Sequence, residues 1–136
     1  MKRASMILSF TAGVFIAAIF LSFSPPQDKP WVVPESAKKM KNPTKSSPDN
    51  LEIGKNLYSK HCKSCHGKNG EGDGPKAPEL KTTPGDFTSE EFKAQSDGEL
   101  FFKTTEGRDD MPSFKKKIGS DEDRWLVINY IKTLKP

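Results

Sequence analysis

The pattern of apolar and polar positions divides the chain into three parts. From Met6 to Phe23 no residue carries a charge, and Lys2 and Arg3 stand just before this run. A run of that length, apolar on every face, reads as a secretory signal or a membrane-spanning helix, not as a surface-adsorbed one. Ser22 and Ser24 have the spacing of a cleavage site, but Pro25-Pro26 follow at once. An uncleaved anchor is therefore the preferred expectation over a cleaved signal. In either case Lys2-Arg3 stay in the cytoplasm and the remainder is exported.

Prolines then recur at 25, 26, 30, 34, 43 and 48. They predict an extended linker over residues 25–48 with no regular helix across it. Trp31 lies just beyond the apolar run and reads either as an interfacial anchor or as a packing residue.

Helical periodicity begins after Pro48. Leu51, Ile53, Leu57 and Tyr58 predict a first helix over 49–62, with Asp49 and Glu52 as its capping box. Gly54 sits one turn before Tyr58, a place where another element can approach closely. Ser96 with Glu99 predicts the start of a second helix over 96–106, and Gly107 ends it. A last helix over 121–134 has Ser120 as its cap, three acidic residues in its first turn, and Trp125, Val127, Ile128, Ile131 and Leu134 on its apolar stripe. No alternation of strand type appears between these helices. The expectation is an all-α domain over 49–136, preceded by a linker and by residues 1–24 as signal or anchor. No internal repeat is visible.

Composition sharpens this picture in one respect. The net charge is +4, but the leader and the linker carry all of the excess, and residues 48–136 sum to −1. A nucleic-acid binder should show its basic face on the folded part, so that class is excluded.

The chemistry concentrates at Cys62-Lys63-Ser64-Cys65-His66, which contains both cysteines of the chain. Cys-x-x-Cys-His is the attachment signature of c-type haem. Residues i and i+3 of a helical turn face the same way, so two thiols can reach two vinyl groups on one porphyrin edge. The adjacent His66 can then ligate the iron. A thioredoxin-like redox pair would need a βαβ setting, which is missing. A zinc site would need converging ligands, and His61, Cys62, Cys65 and His66 are crowded into one short stretch. A Cys62–Cys65 disulfide would close too small a loop to stabilise much. His61 reads as a solvated or haem-edge side chain.

The following segment has four glycines between Gly67 and Pro75 but no Gly-Lys-Ser/Thr ending, so it is not a phosphate loop. It reads as a tight turn around a haem edge. A carbonyl at Gly74-Pro75, or else at Ala77-Pro78, is expected to accept the His66 Nδ1–H bond. Met111 is the one methionine after the haem motif and stands in a polar loop before Pro112. A haem iron with one histidine needs a sixth ligand, and Met111 is the candidate. Lys115-Lys116-Lys117 follows closely and reads either as a docking patch for an acidic partner or as a solvated turn.

In order, Gly54, Tyr58, Cys62-x-x-Cys65-His66, Gly74-Pro75, Leu80, Met111-Pro112, Trp125 and Tyr130 resemble a class I-type monohaem cytochrome c of the bacterial kind. The resemblance covers residues 49–136. It implies three to four helices around one covalent haem, with Gly54 and Tyr58 meeting Val127 and Tyr130 where the first and last helices cross. It also implies that the Met-Pro loop closes the distal side.

The function this implies is one-electron transfer in a respiratory chain by a haem c with His66 and Met111 as axial ligands, and not enzymatic catalysis. The alternative is a fixed monohaem subunit of a quinol-oxidising complex, a terminal oxidase or a nitric oxide reductase. A haem enzyme or sensor would need an open coordination position. Trp31-Val32-Val33-Pro34 and Asn42-Pro43 faintly resemble small cytochrome subunits of quinol-oxidising complexes. Expected partners are redox proteins and, through the N-terminal helix, a membrane. The expected location is the inner membrane with the haem domain in the periplasm, or the periplasm itself after cleavage.

Overall fold

The computed structural model describes residues 30–135. The expected anchor or signal at 1–24 lies outside the described residues. Among the described residues no helix is long and apolar enough to cross a membrane.

The described part is helical and contains no strand. In chain order the helices are α1 (Glu35–Lys38), α2 (Pro48–His61), α3 (Lys63–His66), α4 (Glu90–Lys93), α5 (Asp97–Glu106) and α6 (Asp121–Ile131), with a 3-10 turn at Ala77–Glu79. Three of the boundaries follow from local capping. Ser96 and Glu99 form the reciprocal capping box of α5. Ser120 accepts from Asp123 N and starts α6. The cap of α2 is Ser47, which accepts from Asn50 N, and not Asp49. Pro48 takes the first helical position, where its missing N–H costs nothing and its fixed φ suits the helix.

The architecture rests on the crossing of α2 and α6. Gly54 is buried at the crossing, and a Cβ built there would overlap the Leu126 carbonyl and lie 3.0 Å from Tyr130 Cβ. Glycine is thus required by proximity. The expected partners Val127 and Tyr130 become Leu126 and Tyr130 at the glycine itself. Tyr58, 1% exposed, packs its ring 5.3 Å from that of Tyr130. Val127 and Ile128 are fully buried in the same core. Ile53, expected on the apolar stripe, is exposed. Phe101 of α5 stacks on Trp125 of α6 at 3.9 Å between centroids.

Residues 30–47 do not behave as a plain tether. A short helix, α1, forms within the proline-rich segment, and Val33 and Ala37 are buried. Gly98 leaves room for the Ala37 carbonyl against α5. Ser96 Oγ donates to Lys38 O at 3.1 Å, and Asn42 Nδ2 donates to Asn129 Oδ1 at 2.8 Å. This segment is a strap laid along α5 and α6. Prolines exclude long helices but leave a single turn possible between them, and the apolar pair Val33 and Ala37 supplies the attachment.

Candidate haem site

The Cys-x-x-Cys-His segment forms the turn α3, directly after α2. Cys65 N donates to Cys62 O at 3.1 Å, and His66 N donates to the same oxygen at 3.0 Å. This helical turn brings the two thiols to one side, as the spacing requires. The glycine loop then folds back over α3. Gly67, Gly70 and Gly72 take positive φ, where other residues are strained. The amides of Gly72, Gly74 and Lys76 donate to the carbonyls of His66, Cys65 and Ser64. Tyr58 Oη closes the bracket by donating to Gly67 O at 2.7 Å. Burial holds its phenol protonated well above the ordinary range.

Cys62, Cys65, His66 and Met111 all line one cavity of about 760 Å³. Leu80, Phe87, Leu100, Phe114 and Val127 contribute apolar wall to it. A largely apolar cavity of that size suits a flat, greasy ligand. Burial, and then Cys65, push the Cys62 thiol up to about 12, so an uncharged thiol or thioether suits this wall better than a free thiolate. Among the described residues no three His, Cys, Asp or Glu side chains converge as a metal site. Burial lowers the pKa of His66, partly offset by the Gly85 carbonyl, and this favours the neutral imidazole that iron needs.

The His66 carbonyl partner differs from the expectation. His66 Nδ1 lies 3.3 Å from Gly85 O. The carbonyls at Gly74 and Ala77 are already used, accepting from Ala77 N and Leu80 N in the turns that carry the chain away. Phe87 stacks on the imidazole with 4.3 Å between centroids, and its own N–H donates to Gly70 O at 2.7 Å. No local motif marks Gly85 or Phe87 for this role, because both contacts join loops distant in sequence. The Asx turn at Asp86, which accepts from Thr88 N and Oγ1, is the one readable sign that this stretch is ordered.

Met111, in the wall of the same cavity, is half-buried against the core. Residues 108–111 form a tight turn in which Arg108 and Met111 exchange two backbone hydrogen bonds of 2.8 and 2.9 Å. The loop beyond is held by Arg124, which is 2% exposed. Its guanidinium donates to Thr105 Oγ1 at 3.2 Å, to Lys115 O and Ile118 O, and to the Asp121 carboxylate. Sequence reading passes over Arg124, since an arginine beside an acidic first turn looks like a surface residue.

Trp31 resolves toward packing. It lines the cavity, with the Arg108 guanidinium 4.6 Å and the Lys103 ammonium 5.6 Å from its ring centroid. His61 also lines the cavity, its ring 6.2 Å from Phe114. Lys115, Lys116 and Lys117 are exposed, and Lys117 reaches the cavity rim.

A helix pair crossing at a glycine, followed by a Cys-x-x-Cys-His turn that opens on an apolar cavity, defines a small c-type cytochrome domain. The family model for cytochrome c oxidase, cbb3-type, subunit III, matches residues 49–131, and the chain belongs to that family. Several solved chains are similar, two of them as follows. One is a chain of the Kuenenia stuttgartiensis reducing HAO-like protein complex Kustc0457/Kustc0458, 32% identical, with a TM-score of 0.62 over 71% of this chain and 50% of that one. The other is the KustC0563 c-type cytochrome, 28% identical, with a TM-score of 0.53 over 61% of this chain and 98% of that one. This chain thus spans half the length of the first. No curated protein matches it. The protein is a monohaem class I-type cytochrome c that carries a covalently bound c-type haem.

Proposed function

We propose that the haem is attached through Cys62 and Cys65 and held by His66 and Met111, and that the protein is a one-electron carrier of a respiratory chain. The observation that carries this reading is the shared cavity, in which the two thiols of Cys62 and Cys65, the His66 imidazole and the chain's one methionine after the motif stand together, with the His61 ring packed near Phe114. The bound haem supplies a reversible Fe(III)/Fe(II) couple, and a soft thioether ligand favours the reduced state. The chain's own residues do the rest. His66 is kept toward its neutral form by burial and is oriented by Gly85 O and Phe87. The apolar wall keeps water from the iron. Lys117 and its neighbours present positive charge at the rim to an acidic redox partner.

Electron exchange is favoured over ligand chemistry because both axial positions have an owner. Reduced wild-type protein is therefore expected to leave added carbon monoxide unbound, as read from its visible spectrum. Binding stoichiometric with haem would instead support an enzyme or sensor.

Fixed membership of a membrane complex is the second reading. The family name is that of an oxidase subunit, and one similar structure comes from a protein complex. The apolar run from Met6 to Phe23 behind Lys2-Arg3 supports an inner-membrane anchor with the haem domain in the periplasm. Co-elution of the haem protein with large subunits from solubilised membranes separates a complex subunit from a free shuttle.

A further inference from the structure

Asp110 precedes Met111 in the tight turn, and its carboxylate accepts from backbone amides. Its Oδ2 accepts from Lys81 N at 2.6 Å, from Thr82 N at 3.1 Å and from Thr82 Oγ1 at 3.5 Å. These donors belong to the segment that leads to the His66 partner. Three residues beyond Thr82 is Gly85, whose carbonyl holds His66 Nδ1. Asp110, Thr82, Pro84 and Gly85 all line the cavity wall. One carboxylate therefore joins the loop that carries the sulfur to the loop that orients the imidazole.

We propose that Asp110 is a positioning residue for both axial ligands, a clamp across the cavity mouth that holds the Met111 turn and the 81–85 segment at a fixed separation. The proposal rests on the His66/Met111 reading above. Hydrogen bonds from backbone amides to an ionised carboxylate are short and strong. The turn itself is stiff, because Arg108 and Met111 close it with paired backbone bonds and Asp109 takes a left-handed φ of 52°. A displacement of Asp110 is thus passed to Met111. At the other end, release of Lys81 and Thr82 frees the peptide that leads to Gly85.

A clamp and a simple nearby charge make opposite demands on the reduction potential. Removing a negative charge near the iron favours the ferrous state and raises the potential. Loosening the thioether lowers it. Asp110→Asn keeps an acceptor oxygen in place, whereas Asp110→Ala removes it. Three readouts on the haem-loaded full chain decide between the two roles: the ferric sulfur-to-iron charge-transfer band, the ferric affinity for added imidazole, and the midpoint potential. The ferric electron paramagnetic resonance signal reports the imidazole plane in addition.

For Asp110→Ala the expected results are a weakened band, an imidazole affinity raised by about tenfold or more, a lowered potential and a changed resonance signal. For Asp110→Asn the band and the affinity stay near wild type and the potential rises. Lys81→Pro removes a donor from the opposite end and serves if the alanine variant fails to fold. The preceding Leu80 is already extended, with ψ of 147°, and accepts a following proline. It is expected to weaken the band as Asp110→Ala does. Equal rises in potential for both Asp110 variants, with band and affinity untouched, would overturn the clamp alone. A Met111→Ala protein that keeps the band would bring down the ligand assignment and the clamp together.

Discussion

Met111→Ala is expected to give a protein whose reduced form binds carbon monoxide stoichiometrically with haem. Its ferric form loses the sulfur-to-iron band, and its midpoint potential falls by a sizeable part of the roughly 0.8 V over which axial ligands tune haem. The wall of the cavity offers the iron no second thioether, because Met111 is the one methionine lining it. The fold should survive the change. Met111 is only half-buried at the edge of the core, so the truncation costs about 2 kcal/mol, at the low end for a methionine. Arg124 continues to hold the following loop through Thr105, Lys115 and Ile118. Spectra before and after carbon monoxide, with an electrochemical titration, check this. An unchanged ferric band would show that another group holds the sixth position.

The second large effect is on stability. Gly54→Val places a Cβ where the Leu126 carbonyl already sits and adds two methyl groups to it, at the crossing of α2 and α6. Overpacking of a tight core costs about 1–3 kcal/mol or more, and here the obstacle is backbone, which cannot rotate away. A loss of about 3 kcal/mol corresponds to roughly 10 °C in unfolding temperature for a domain of this size. Gly54→Ala tests the cause by its sign. In an open helix alanine would stabilise by about 0.5–1 kcal/mol relative to glycine. At this crossing it is expected to destabilise, with Tyr130 Cβ 3.0 Å away and the Leu126 carbonyl closer still. Thermal unfolding of the two variants decides the point, and a stabilised alanine variant would mean that the helices do not meet as described.

What could be read in the sequence was what short-range bonds decide. The capping box Ser96/Glu99, the cap Ser120 and the stop at Gly107 each satisfy backbone groups within a few residues, so α5 and the start of α6 were legible. So were the Cys-x-x-Cys-His turn and the need for glycine beyond it. At α2 the local pattern points to the wrong cap, because Asp49 and Glu52 make a plausible box while the decisive residues are Pro48 and Ser47 before it. The strap, Gly85, Asp110 and Arg124 were not legible for a common reason. Their partners lie far along the chain, as with Asn42 on Asn129 or Asp110 on Lys81, and only the folded backbone brings them together. Trp31 illustrates the ambiguity best. Its position after an apolar run suits a membrane interface, and only its placement under Arg108 and Lys103 selects packing at the cavity.

The most direct measurement is the intact mass of the chain purified from a host that matures c-type cytochromes, taken with its alkaline pyridine spectrum. One haem should remain bound through denaturation in the native chain and disappear when Cys62 and Cys65 are both replaced by serine. A native chain that weighs no more than its polypeptide, or a double variant that keeps a denaturation-resistant haem, would contradict attachment at this pair.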